Sequence, residues 1–438
     1  MQENNMRKND KVDVLETDPN RAILVSICLD KKKYTGIQNS LDELELLAST
    51  VNIKTVGKYI QNMKKISSAT FVGKGFLEKL KAKMVEEDAG ILIFDNELSP
   101  TQGRNLIKDF QIRAFDRTEI ILRIFHDHAK SNEAKLQVKM AEMQYELPRL
   151  KNKWTHFEKQ RVAAGGGRGA GQAARGMGET QTEIDRRRVR EEIKKISGRL
   201  AKISKQKDTQ YKKRNELYRR VCLVGYTNAG KSTLFNNITN AGVLVQDQLF
   251  ATLDTTSRTF NTGKGKDLMI SDTVGFIANL PHHLVASFRA TLKDVLNADL
   301  LLHVIDTADP EFEKNITEVD KVLKQIKADE INTLMVFNKA DKLESLQTKM
   351  EFIEQNYPKS VIVSAVTGFH IEKLLPEIDN ELNYAKHFNL FVPHAEQKIV
   401  NHIHEIAKII SKKHLEDGVE FQVELNKADL GILENYCI

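Results

Sequence analysis

The segment Gly225-Tyr226-Thr227-Asn228-Ala229-Gly230-Lys231-Ser232 has the spacing G-x-x-x-x-G-K-S. Its chemistry is that of a phosphate cradle. Glycines let backbone N–H groups curl round phosphate oxygens, and a helix N-terminus favours the anion. An apolar strand pattern, 221–225, precedes the segment, and Thr233 opens a helix pattern that runs to Ile238. That context makes the match a P-loop rather than a plain strand–turn–helix corner. Lys231 would reach the β and γ phosphates, and the Ser232 hydroxyl would ligate Mg2+.

Asp272-Thr273-Val274-Gly275 closes a second strand pattern. An aspartate there can hold Mg2+ through water, and a glycine N–H can bind the γ-phosphate and release it after hydrolysis. Asn338-Lys339-Ala340-Asp341 closes another strand. Asn338 and Lys339 can frame a purine from two sides. The Asp341 carboxylate can accept from the ring N–H and the exocyclic amine of guanine, a donor pair that adenine lacks on that edge. Ser364-Ala365-Val366 follows one more strand and completes the base pocket through backbone N–H groups. Strand C-terminal ends are where doubly wound sheets bind ligands. The four motifs in this order read as a GTP-binding and GTP-hydrolysing switch domain, with GTP/GDP and Mg2+ as ligands. Lys231 and Gly275 would act in catalysis, and Ser232 and Asp272 would hold the metal.

The elements that must position these residues alternate strand and helix from Tyr218 to about Phe388, a doubly wound P-loop domain (218–388). Residues 1–20 read as a disordered tail. Residues 21–130 alternate in the same way and predict an N-terminal α/β domain with a small, largely parallel sheet. A capping-box pair at Ser40 and Glu43 is expected to open a helix there. Residues 131–217 change period. Leu136, Met140, Met143, Leu147, Leu150, Trp154 and Phe157 form one heptad seam, and Val189, Ile193, Ile196, Leu200 and Ile203 form another. Between them lie seven glycines, from Gly165 to Gly178. The pattern predicts a long antiparallel helical hairpin with a Gly/Arg tip. Its first helix, of about 30 residues and ~45 Å, would be kinked at Pro148, and its second would start at a Thr180/Glu183 capping box. Residues 389–438 form a small C-terminal α/β segment, with one helix pattern (396–412) and one strand pattern (419–425).

Composition narrows the class. The 438 residues are 41% hydrophobic and 29% charged, which is globular rather than disordered. Three scattered cysteines exclude a disulfide scaffold or cysteine zinc site and fit a reducing, cytoplasmic setting. The expectation is no transmembrane segment and no signal peptide, with peripheral membrane association left open. Net charge is +6, yet residues 149–220 carry 22 Lys+Arg against 8 Asp+Glu, so the remainder sums to −8. That concentration should face a polyanion.

The whole set resembles the translation-factor-related GTPases, and within them the HflX family. Outside the nucleotide domain the resemblance rests on 94–100 (FDNELSP), 135–150 (KLQVKMAEMQYELPRL) and 178–187 (GETQTEIDRR). Inside it rests on 225–236 (GYTNAGKSTLFN), 247–254 (DQLFATLD), 272–277 (DTVGFI) and 280–292 (LPHHLVASFRATL). It implies a ribosome-associated GTPase that binds the large subunit and its rRNA, promotes subunit dissociation or rescue, works as a monomer and binds no DNA. It also implies that Thr252 is the switch threonine on Mg2+. Spacing alone does not choose among Thr252, Thr255 and Thr256. Phe250, Ala251, Leu253 and Asp254 would line the nucleotide around it. Phe276 stands where Ras-type enzymes place a water-orienting glutamine. The sequence departs from the family at Met177, where Pro is usual, and at Thr255, where Asp-Pro is frequent after Leu253. The family's first domain has been linked to an ATP-related activity. Here the glycines of 72–80 make no second P-loop, and that question stays open.

Plainer readings compete with these. The seams could be an internal coiled coil, and the Gly/Arg stretch a flexible linker. His282-His283 reads as a solvated helix start rather than a metal site, and Trp154 and Cys222 read as core. An ATP-dependent remodeller is disfavoured by Asp341. A GTP-dependent RNA-binding scaffold with little intrinsic catalysis is the alternative function.

Overall fold

The computed structural model describes residues 17–30, 34–150, 171–215, 218–239, 249–250, 255–260, 268–277, 293–343, 345–382, 385–415, 417–426 and 430–437. Trp154, His282-His283, most of the Gly/Arg tip, and Ala251, Thr252, Leu253 and Asp254 lie outside them. The chain divides into two compact units. The first holds the residues up to Asp208 together with Leu249 and Phe250, and the second holds the P-loop region and the C-terminal part.

In the first unit β1 (Asp18–Cys28), α1 (Tyr34–Thr50), β2 (Lys54–Asn62), α2 (Lys74–Glu86), β3 (Ala89–Phe94), α3 (Pro100–Phe110), β4 (Ala114–Asp116), α4 (Arg117–His128) and α5 (Asn132–Glu146) follow in order. The strands form a parallel sheet ordered β2-β1-β3-β4. β3 is buried along its whole length, as the apolar run GILIF requires of a strand covered on both faces. Ile23, Val25, Leu92 and Phe94 pack with Leu77, Leu80 and Leu106 in the core.

Ser40 and Glu43 do not open a helix, because α1 has already run for six residues at Ser40. Ser40 Oγ donates to Asp95 at 2.9 Å. Glu43 pairs with the buried Arg117 guanidinium, which also meets Asp95 at 3.1 Å. This cluster ties α1 and the end of β3 to α4. α4 itself is absent from the sequence reading: Ile120-Ile121-Leu122 is a continuous apolar run, and periodicity cannot separate a buried helix from a strand there. Asp116 caps α4, accepting from Glu119 N at 2.9 Å.

The hairpin expectation is corrected in its lengths. α5 spans 15 residues and ends at Glu146, before Pro148, with Leu150 helical again; proline supplies no N–H and crowds the preceding turn, and the rest of the expected first helix lies outside the described residues. α6 (Gly171–Asn215) is 45 residues long and passes straight through Thr180, so no helix starts there. Its seam holds. Ile196 and Leu200 are buried and Val189, Ile193 and Ile203 half-buried, while Arg187, Arg188, Lys194, Lys195, Arg199 and Lys202 are exposed. Ion pairs Glu133–Lys207 and Lys139–Glu192 join α5 to α6 in antiparallel order.

The second unit contains β5 (Arg219–Gly225), α7 (Lys231–Thr239), β6 (Thr256–Phe260), β7 (Leu268–Asp272), α8 (Lys293–Leu296), β8 (Leu300–Asp306), α9 (Phe312–Ile326), β9 (Thr333–Asn338), α10 (Leu346–Asn356), β10 (Ser360–Ile362) and α11 (Ile371–Leu382). Their sheet is ordered β10-β9-β8-β5-β7-β6, parallel except for the edge strand β6. The C-terminal segment differs from expectation. β11 (Ala385–Pro393), α12 (Gln397–Ile406), β12 (Lys408–His414) and β13 (Gly418–Asn426) make a three-stranded antiparallel sheet, β11-β13-β12, with one helix. The apolar pattern taken for one helix to Lys412 breaks at Ala407, where the chain turns extended and pairs with β13.

Candidate nucleotide-binding site

Gly225, Asp272 and Asn338 end β5, β7 and β9, Ser232 stands in the first turn of α7, and Ser364 follows β10. Gly230 adopts φ +89, and a Cβ on it would run into the Asn338 amide, so only glycine allows this loop to close. Asn338 is 1% exposed. Its Nδ2 donates to Ala229 O and its Oδ1 accepts from Ala365 N, each at 2.9 Å. It therefore braces the phosphate loop against the base loop, and the second N–H of its Nδ2 is not used in that brace.

Lys231 is buried, with Nζ donating to Gly225 O at 3.1 Å and Tyr226 O at 2.7 Å. Burial lowers its ammonium to about 8; Asp272 pulls the other way and Lys339 reinforces the fall. Ser232 Oγ donates to Asp272 Oδ2 at 2.6 Å. Thr227 Oγ1 is buried without a hydrogen-bond partner, an orphaned polar atom inside the phosphate loop. Asn228 and Tyr226 complete the loop, and Thr233 continues α7.

The segment after β7 is pinned to the P-loop. Thr227 N donates to Phe276 O at 2.7 Å and Phe276 N donates to Gly225 O at 3.0 Å. Thr273 Oγ1 donates to Leu223 O at 2.6 Å, and Val274 is buried beside it. At Gly275 a Cβ would stand 2.9 Å from Thr227 Cα and 3.1 Å from Lys231 Nζ. The Gly275 backbone thus lies against the lysine end.

At the base end Asp341 is exposed and its Oδ1 accepts from Ser364 Oγ at 2.5 Å. Lys339 reaches Asp306 at 2.7 Å. Ala340 and Ala365 are buried, whereas Val366 is 73% exposed. The sequence reading missed four supports. Thr307 Oγ1 donates to Asn338 O at 2.6 Å, Asn237 Nδ2 donates to Ala365 O at 3.2 Å, and Asp306 holds Lys339. His303, buried in β8, has its imidazole lowered to about 4 by burial and, further, by Lys231. None stands in a short motif, so spacing carried no signal for them. Phe250 falls in the first unit, where it is buried against Phe125 and His128.

The donor set fits a magnesium nucleotide. A serine hydroxyl and a carboxylate sit together, as Mg2+ requires when phosphates and waters fill its remaining positions. A lysine and an unpartnered threonine hydroxyl lie where phosphate oxygens can meet them.

A strand–P-loop–helix corner, an aspartate–glycine turn and a guanine-reading strand end on one doubly wound sheet define a P-loop GTPase. Family models agree: GTP-binding GTPase N-terminal over residues 38–126, GTP-binding GTPase Middle Region over 128–214, and 50S ribosome-binding GTPase over 220–339. The chain belongs to the HflX family of GTPases. It is 38% identical to GTPase HflX of Magnetococcus marinus over 427 residues, covering 96% of each chain. It is 40% identical to GTPase HflX of Escherichia coli over 413 residues, covering 93% of this chain and 94% of the relative. Among solved structures, a GTP-binding protein from Sulfolobus solfataricus in complex with GDP aligns over 83% of this chain and 98% of its own, at 23% identity and TM-score 0.43. The chain binds guanine nucleotides and hydrolyses GTP. Among the described residues no helix is long and apolar enough to cross a membrane.

Proposed function

We propose that the chain is a GTP-controlled switch that binds the large ribosomal subunit through rRNA and promotes subunit dissociation or rescue. The observation that carries this is α6: its apolar seam is buried or half-buried, while Arg187, Arg188, Arg190, Lys194, Lys195, Arg199 and Lys202 are exposed, with Glu191 and Glu192 among them. Arg187 and Arg188 side chains are 81% and 75% exposed, and their acidic partners lie on the same helix. Such surface pairs hold little energy, so phosphates can displace them. The 50S ribosome-binding family match supports the large subunit as partner. α6 ends at Asn215 and β5 starts at Arg219, so a short covalent path links arm and P-loop strand.

In hydrolysis Lys231 offsets phosphate charge, the Gly275 N–H meets the γ-phosphate, and Asp341 selects guanine. Ser232, Asp272 and Thr252 would hold Mg2+, which would offset phosphate charge when bound. The protein acts as a monomer in the cytoplasm. A scaffold with little intrinsic catalysis is the second reading, favoured by Phe276, which is buried and backbone-paired to the P-loop and so supplies no group to orient water.

The test is binding of the full chain to purified large subunits at rising salt, with subunit separation followed on gradients. If phosphate contacts dominate, log affinity falls linearly with log salt, with a slope near one unit per neutralised phosphate. A flat salt dependence, or intact 70S particles at saturating protein and GTP, contradicts the proposal.

A further inference from the structure

We propose that the Thr227 hydroxyl is a specificity-determining group that meets the γ-phosphate and so tells GTP from GDP. Three other hydroxyls around the site have protein partners. Ser232 Oγ donates to Asp272 Oδ2, Thr273 Oγ1 to Leu223 O and Thr307 Oγ1 to Asn338 O, each at 2.6 Å. Thr227 Oγ1 is buried with no hydrogen-bond partner among the described residues, and the residue is 7% exposed. A buried hydroxyl left unpaired costs free energy, so it points to a ligand that pairs it.

The backbone holds Thr227 in place without help from its side chain. Its N–H donates to Phe276 O at 2.7 Å, and Ala229 N donates to Tyr226 O at 3.4 Å, which bends the chain through Thr227 and Asn228. Asn228 takes φ +58, the left-handed region that asparagine tolerates. The side chain stands against Gly275: a Cβ there would lie 2.9 Å from both Thr227 Cα and Thr227 Cγ2, and 3.1 Å from Lys231 Nζ. The hydroxyl shares its carbon with that methyl, so it sits beside the glycine backbone and the lysine ammonium, the two groups read as meeting the γ-phosphate. A hydroxyl that donates to a charged phosphate oxygen makes a charge-assisted bond. GDP ends at the β-phosphate and offers no oxygen at that place, so the bond acts on GTP alone. This rests on the reading of Gly275 as the γ-phosphate contact, and the experiment below separates the two.

The full-length chain is compared with Thr227→Val, Thr227→Ser and, as a separate arm, Gly275→Ala. The readouts are affinity for a non-hydrolysable GTP analogue, affinity for GDP and thermal melting without nucleotide. Valine keeps the branched shape and removes the hydroxyl. Thr227→Val is expected to weaken the analogue about tenfold or more, the worth of one hydrogen bond to a charged group, while leaving GDP affinity unchanged. Its melting temperature should hold or rise, because the group removed is buried and unpaired. Thr227→Ser, which keeps the hydroxyl, should recover most of the loss. Unchanged analogue affinity in Thr227→Val, an equal loss for GDP and analogue, or no recovery in Thr227→Ser overturns the proposal by reducing the side chain to ordinary packing. Unchanged analogue affinity in Gly275→Ala beside a selective loss in Thr227→Val upholds the hydroxyl contact and removes the γ-phosphate role from Gly275. The reverse pattern keeps that role and overturns the proposal.

Discussion

Asn338 donates its side-chain amide to the Ala229 carbonyl at 2.9 Å, so the strand end that reads the base also fixes the loop that cradles the phosphates. The same side chain accepts from Ala365 N. Asn338→Ala should leave a buried carbonyl and a buried N–H unpaired, at about 1–3 kcal/mol each. GDP and GTP affinities should fall together, and the melting temperature with them. Titration of both nucleotides checks this; a loss confined to GTP would show that Asn338 acts at the phosphates instead.

Asp341 is the exposed carboxylate of the base loop, steadied by Ser364. Asp341→Asn presents a donor to a base edge that also donates. GTP binding should weaken by several kcal/mol and xanthosine triphosphate binding should improve. Competition between the two nucleotides measures the swap, and an undiminished preference for GTP would remove base reading from this residue.

Lys231 carries a pH signature. Burial lowers its ammonium from 10.5 to about 8. Above pH 8 the free site is therefore increasingly neutral, and phosphate oxygens restore the charge on binding. Nucleotide binding at pH 8.5 should take up most of a proton, and affinity should decline as pH rises from 8. Calorimetry in buffers of different ionisation enthalpy reads the uptake directly. Proton release, or no exchange, would contradict it.

Phe276 occupies the position after Gly275, but its side chain is 4% exposed and its backbone is paired with Gly225 and Thr227. Phe276→Ala should cost about 3–5 kcal/mol of stability, as buried phenylalanine truncations do. Basal turnover per folded molecule should stay within a few-fold of the parent. A loss of several hundredfold at unchanged melting temperature would assign the ring to attack geometry.

The nucleotide site was legible because its parts are local: G-x-x-x-x-G-K-S, Asp272 to Gly275 and Asn338 to Asp341 each put their chemistry within a few residues of a strand end. The α6 seam was legible for the same reason, since five apolar residues at heptad spacing need no distant partner to be recognised. What the sequence concealed depends on long-range pairing. Ser40 and Glu43 look like a helix cap, yet their partners are Asp95 and Arg117, 55 and 74 residues away. β12 reads as the tail of a helix until β13 supplies its ladder. The partners of Phe250 in the first unit, Phe125 and His128, lie on a helix whose apolar run hid it.

GTP turnover by the full chain, measured with and without purified large ribosomal subunits at fixed salt, tests the central claim most directly. With Phe276 unable to orient water, turnover alone should be slow, and large subunits should raise it at least about tenfold by supplying or ordering the missing group. Small subunits should have no such effect. Equal turnover in the presence and absence of large subunits, at concentrations where binding is complete, would contradict a ribosome-directed GTPase switch.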